Sequence, residues 1–213
     1  MGRGRHRREA ALARWRADMA ALGLVDRGDA AGRALIARHD RPWRRYHALG
    51  HLDFLSGEIE RHRDRLAAPA RLILAAWFHD SVYNTLRKDN EARSADLAAR
   101  TLPGLGVSET LTARVCALIH ATADHASGGA DADDALFLDM DCAILGAPSE
   151  TYDRYARQIR FEYGWAPSGL YRRGRRAFLN TQLARERLFH TGAYEDAFGG
   201  QARANLAREL AAL

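Results

Sequence analysis

Three things are scarce in this chain of 213 residues: cysteine, lysine and long apolar runs. Its two cysteines, Cys116 and Cys142, lie far apart and form no C-x-x-C, which excludes a disulfide framework and a cysteine-built zinc site. They read as small buried hydrophobes in a reducing compartment. Lys88 is the only lysine, so arginine carries nearly all the positive charge behind the net +5. With alanine abundant as well, this reflects composition bias as much as function. The basic balance reads as a solvated arginine-rich surface rather than a nucleic-acid interface, and a phosphate-bearing partner is compatible with it. No apolar stretch is long enough to span a bilayer. The basic start, Met1 to Arg16, has no apolar segment behind it, so it is not a secretory signal. The expected location is the cytoplasm.

What is present is ordinary globular composition, 47% hydrophobic and 28% charged, enough for a real core without a disulfide or structural metal. A bound metal would therefore serve function. Alternating strands are missing, and helical spacing recurs throughout. Leu12, Trp15, Met19 and Leu22 form one stripe on a first helix. A short helix is expected over 28–36, a long one over 45–66, and another with Pro69 in its first turn and the run Leu72 to Phe78 inside. Helix continues from Ser94 to Leu102 and stops at Pro103-Gly104. Ser108 can cap a helix reaching about His125, and Ser149 one over 152–163. The acidic stretch Asp131 to Asp134 reads as loop. Helices over 170–189 and 201–213 complete the chain. The expectation is an all-α, single-domain bundle.

His79-Asp80 is the informative feature, because it ends the apolar run Leu72 to Phe78. A carboxylate and an imidazole near a core are costly unless paired or bound to a metal. The bland alternative, a helix-end Asp bonded to its neighbouring His, weighs equally on the pair alone. His47 and His51 are four apart, which on a helix puts them on one face. His39, His62 and His190 lack such neighbours. A zinc-protease reading fails, since Ala48 stands where that motif needs a Glu. Asp139 and Asp141 sit two apart inside the apolar segment from Leu136 to Gly146. One can cap a helix while the other points inward, and the inward role is assigned to Asp141.

The order H…HD…D on helices resembles the HD superfamily of metal-dependent phosphohydrolases, and within it the stand-alone bacterial proteins of that type. The likeness rests on segments spread over nearly the whole chain. They are Arg45 to His51, Ala76 to Asn84, Asp89 to Ala95, Asp139 to Gly146, Ile159 to Tyr163, Gly174-Arg175 and Ala204 to Leu206. It implies an HD-type bundle with an N-terminal extension over 1–40, a metal-binding core over 41–146 and C-terminal helices over 147–213. It also implies His51, His79, Asp80 and Asp141 as ligands of a divalent ion. Imidazole and carboxylate together suit Mn, Mg, Co, Zn, Ni or Fe. His47 becomes a proton donor to the leaving oxygen by likeness to the cyclic nucleotide phosphodiesterases. Ala48 departs from the pattern, since Asn is common there, and its absence removes a hydrogen-bonding side chain from beside the ligands.

Further candidates follow. Glu91 could position water or touch a second metal, or be a carboxylate favoured by its place in a helix's first turn. His125 could serve a second metal or a substrate, or be a helix-end histidine. Arg160, Tyr163 and Arg175 could hold a phosphate. The expected activity is hydrolysis of a phosphate ester or anhydride, a nucleotide among the candidate substrates. Two rivals stand beside it: an HD-type di-iron oxygenase drawing on His120, His125 and Glu91, and a non-catalytic helical binding module. No recognition-helix or aromatic-interleaved basic signature supports nucleic acid.

Overall fold

A helix that is apolar on every side must be buried on every side, and the segment around Leu72 to Phe78 is such a helix. In a computed structural model describing residues 2–125 and 127–213, every residue from Arg71 to His79 is buried. The architecture is all-α, with no strand among the described residues. Among the described residues no helix is long and apolar enough to cross a membrane. The chain divides into two compact units, Met1–Asp134 and Ala135–Leu213.

The first unit holds α1 (Gly2–Ala21), α2 (Ala30–His39), α3 (Leu49–His62), α4 (Pro69–Phe78), α5 (Asn90–Thr101) and α6 (Glu109–Ala121). α4 is its centre and packs on α6, α3 and α5. Burying Leu72, Leu74, Trp77 and Phe78 contributes roughly 1.5–3 kcal/mol each, more for the Trp. Pro69 stands in the first turn of α4 as expected. The amides of Ala67 and Ala68, just before that turn, donate to the Asp133 carboxylate at 3.3 and 2.7 Å. α1 is tied down by two indoles. Trp77 Nε1 donates to Asp18 at 2.8 Å, and Trp15 Nε1 donates to Asp26 at 2.9 Å. Asp26 also accepts from the amides of Ala31 and Gly32 in the first turn of α2. At Gly32 α1 and α2 approach closely, since a Cβ there would lie 2.3 Å from the Trp15 ring.

Some boundaries differ from the sequence reading. The expected 45–66 helix begins only at Leu49, after turns, so His47 precedes it. α6 stops at Ala121, short of His125. The acidic stretch is not all loop: α7 (Ala132–Cys142) begins within it. The cause is tertiary, because buried Arg71 pairs with Asp131 at 2.6 Å and with Asp134 at 2.9 Å. The division between the units falls inside α7.

The second unit continues through α8 (Ser149–Glu162), α9 (Ser168–Leu183), α10 (Gly192–Tyr194), a π turn (Glu195–Gly199) and α11 (Gly200–Ala212). Pro148, not Ser149, occupies the N-cap of α8. The expected 170–189 helix ends at Leu183. Asn205 on α11 donates to the carbonyls of Leu145 and Ala147 at 2.9 and 2.8 Å, holding the turn that follows α7.

Candidate metal centre

His79 is the C-cap of α4, where the buried helix ends and its last carbonyls need donors. Its Nδ1 lies 3.0 Å from the Ala76 carbonyl and donates to it. That fixes the tautomer and leaves Nε2 with its lone pair outward, the arrangement typical of a metal-binding imidazole. Nε2 of His79 stands 3.3 Å from Nε2 of His51 and 3.3 Å from Oδ2 of Asp80. Two nitrogens each ~2.0–2.1 Å from one tetrahedral ion lie roughly 3.4 Å apart. The observed His51–His79 separation matches it.

His51 reaches this point from the first turn of α3 and is buried, as is His79. Burial works to raise the Asp80 carboxyl, but the imidazoles of His79, His47 and His51 outweigh it and hold Asp80 well below the usual carboxylate range. Asp80 is therefore an anion among histidines.

His47 and His51 do not share a helix face. Ala48, the residue before α3, has extended backbone (φ −120°, ψ −176°), and His47 lies on the turn leading to it. The His47 ring still comes within 6.3 Å of the His51 ring, because other groups place it there. It stacks on Tyr83 at 4.3 Å and 29°, and meets the Tyr46 ring edge-on at 4.9 Å. Arg44, buried beneath, donates through Nη1 to the carbonyls of Asp80 at 2.6 Å and His47 at 3.2 Å. Its guanidinium lies 5.1 Å from the Tyr83 ring centre. One arginine thus joins the turn before α3 to the turn after α4. Neither Arg44 nor Tyr83 was assigned a role from the sequence. Arg44 is hidden among Arg41 and Arg45, and only its burial separates it from them.

The turn after α4 is held by α5. Ser94 accepts from the Val82 amide at 3.0 Å, and Asn90 both accepts from the Asn84 amide and donates to its carbonyl at 3.0 Å. Glu91, in the first turn of α5, is half-buried. Burial lifts its carboxyl above the ordinary value and the Asp80 charge adds to this, while His125 and His47 pull it down. Glu91 therefore shares the electrostatic environment of Asp80. His125 follows α6 with a left-handed backbone, φ 51°. His120 is exposed on α6.

The remaining predicted residues belong to the second unit. Asp139 and Asp141 both lie in α7, so neither begins a helix. Asp139 is the more buried, at 1% exposure, and accepts from the amides of His190 and Thr191 and from the Thr191 hydroxyl at 2.6–2.8 Å. Asp141 is half-buried. Arg175 is buried with its fork on Glu209, at 2.8 and 2.9 Å. Arg160 donates to the carbonyls of Tyr163 at 2.8 Å and Ala166 at 3.2 Å, closing the end of α8. The Tyr163 ring sits among those of Trp165 and Tyr171.

No protein-family model, curated protein or solved structure matches the chain.

Proposed function

We propose that the protein is a metal-dependent phosphohydrolase that holds a divalent ion on His51, His79, Asp80 and Asp141. The observation that carries the metal is the orientation of His79, whose Nδ1 is committed to Ala76 while Nε2 faces the His51 nitrogen and the Asp80 carboxylate. In this reading Asp141 adds a further donor, as the motif resemblance implies. Imidazole and carboxylate donors admit Mn, Mg, Co, Zn, Ni or Fe.

Bound there, a divalent ion would lower the pKa of a water and polarise a phosphoryl oxygen. The chain's own groups do the rest. His47, held by Tyr83 and Tyr46, gives a proton to the leaving oxygen. In this reading Glu91, whose carboxyl burial raises above its ordinary value, holds the attacking water or takes up its proton. Asp80 stays ionised throughout, and Arg44 keeps the turns that carry His47 and Asp80 in register. The choice of phosphoryl chemistry rests on the motif resemblance. A nucleotide or other small phosphate ester or anhydride is the proposed substrate class.

The test is metal analysis of purified protein followed by a panel of phosphomonoesters, phosphodiesters and nucleotides with Mn, Co, Mg and Zn. Metal-dependent turnover that disappears in His79→Ala and Asp80→Ala supports the reading; unchanged rates in both variants overturn it. Two irons per chain with oxygen uptake would select the oxygenase instead.

A further inference from the structure

The second unit carries a basic cleft that the proposed hydrolysis does not use. From Arg154 to Arg176 the sequence holds seven arginines and one carboxylate, Glu162. One of the seven, Arg175, is neutralised by Glu209 and packed over the rings of Tyr155 and Phe178. Three others, Arg157, Arg160 and Arg172, line a cleft of about 350 Å³ between α8 and α9, together with Ser168, Tyr171 and Glu209. The cleft is open, so a ligand in it stays largely in contact with solvent.

The charge on the side chains lining this cleft is mostly positive. Glu209 is its only carboxylate side chain, and both its oxygens are taken, by Arg175 and by the Tyr152 hydroxyl at 2.6 Å. Arg160 is locked by two carbonyls and lies 4.7 Å from the Tyr171 ring centre, a fixed positive charge at the wall. Arg157 and Arg172 are exposed and have no carboxylate partner among the described residues. Their guanidinium forks match phosphoryl oxygens, which accept hydrogen bonds in pairs. Ser168 opens α9, so that helix begins at the cleft and adds its positive end.

We propose that this cleft binds a small molecule carrying a diphosphate group, with Arg157 and Arg172 on the phosphoryl oxygens and Arg160 and the start of α9 supplying fixed positive potential. The inference does not rest on the proposed hydrolysis, and it holds whether or not the protein turns a substrate over. A free pyrophosphate and a nucleoside diphosphate share the recognised group; they differ in whether Tyr171 adds contact with an organic moiety.

The experiment is calorimetric titration of the full chain with inorganic pyrophosphate and, separately, with ADP at moderate salt. Four proteins are compared: the parent, Arg157→Ala/Arg172→Ala, Tyr171→Leu and His79→Ala. The expected result is saturable one-to-one binding that weakens roughly tenfold or more in the double-arginine variant and persists in His79→Ala. The double variant should keep the parent's melting temperature, since both side chains are exposed. Loss of ADP but not pyrophosphate affinity in Tyr171→Leu assigns the site to an organic diphosphate; equal effects assign it to pyrophosphate itself. The proposal is overturned if the parent fails to bind at millimolar ligand or the double variant binds like the parent. It is also overturned if affinity vanishes in His79→Ala, which would put the anion at the metal centre. Tighter, steeply salt-dependent binding of a short single-stranded RNA would reassign the surface to nucleic acid.

Discussion

His47 and His79 differ in what holds them, and the difference predicts separable losses. His79 is fixed by a hydrogen bond from its far nitrogen, His47 by ring contacts with Tyr83 and Tyr46. His79→Ala should therefore purify with little or no metal. His47→Gln should retain metal near the parent level while kcat falls by about 10²–10⁴. Metal content measured beside kcat tests both; metal loss in His47→Gln would make that residue a ligand. The two aspartates of α7 separate in the same way. Asp139 accepts three hydrogen bonds from residues 190–191, so Asp139→Ala should lower stability by about 1–3 kcal/mol in urea titrations. Asp141→Ala should instead cost metal at nearly unchanged stability. His79-Asp80 was readable because it ends an unbroken apolar run. The part played by Asp139 was not, because spacing alone cannot say which carboxylate the distant Thr191 will claim. The His47–His51 pairing was misread because no capping residue announces that α3 starts at Leu49; Ala48 stands there without a side-chain cap.

At the scale of elements, the helices most visible in the sequence are those whose local signals and burial agree. α4 opens on Pro69 and closes where the apolar run ends, and α6 opens on Ser108, whose hydroxyl accepts from the Leu111 amide at 3.3 Å. α7 was half hidden because its first turn is acidic and becomes ordered through Arg71, some sixty residues earlier in the chain. The α1–α2 crossing was also invisible, since a glycine inside a helical pattern marks no partner. There, Gly32→Ala would drive a methyl into the buried Trp15 ring and should destabilise by about 1–3 kcal/mol. Gly174→Ala is the matched control. Nothing lies within 4 Å of its added methyl on exposed α9, so the better helix former should add about 0.5–1 kcal/mol. Urea midpoints of opposite sign in the two variants would confirm that close approach, rather than helix propensity, selects Gly32.

For the whole molecule, the response to acid follows from a histidine outside the metal set. His39, at the end of α2, places Nε2 3.3 Å from the Trp77 carbonyl and receives Arg44 at Nδ1, 3.4 Å away. With one nitrogen donating and the other accepting, the ring is neutral. Burial, reinforced by the Arg44 charge, lowers its pKa from 6.5 to about 3. Between those values the unfolded chain binds a proton that the folded chain declines. Stability is then complete above pH 6.5 and falls as pH drops toward 3. Asp80, whose folded pKa lies below its ordinary 3.8, loses its contribution only at the acid end of that window. His39 alone can contribute a slope of up to about 1.4 kcal/mol per pH unit. His39→Gln offers an amide to Trp77 and an oxygen to Arg44 without a titrating group. Urea titrations at intervals from pH 7 to pH 4 should show a shallower loss in this variant than in the parent. Since the other eight histidines, His51 and His79 among them, are common to both proteins, the difference between the two slopes belongs to His39. Equal slopes would mean that His39 takes up its proton inside the fold, and that burial beside Arg44 does not hold it neutral.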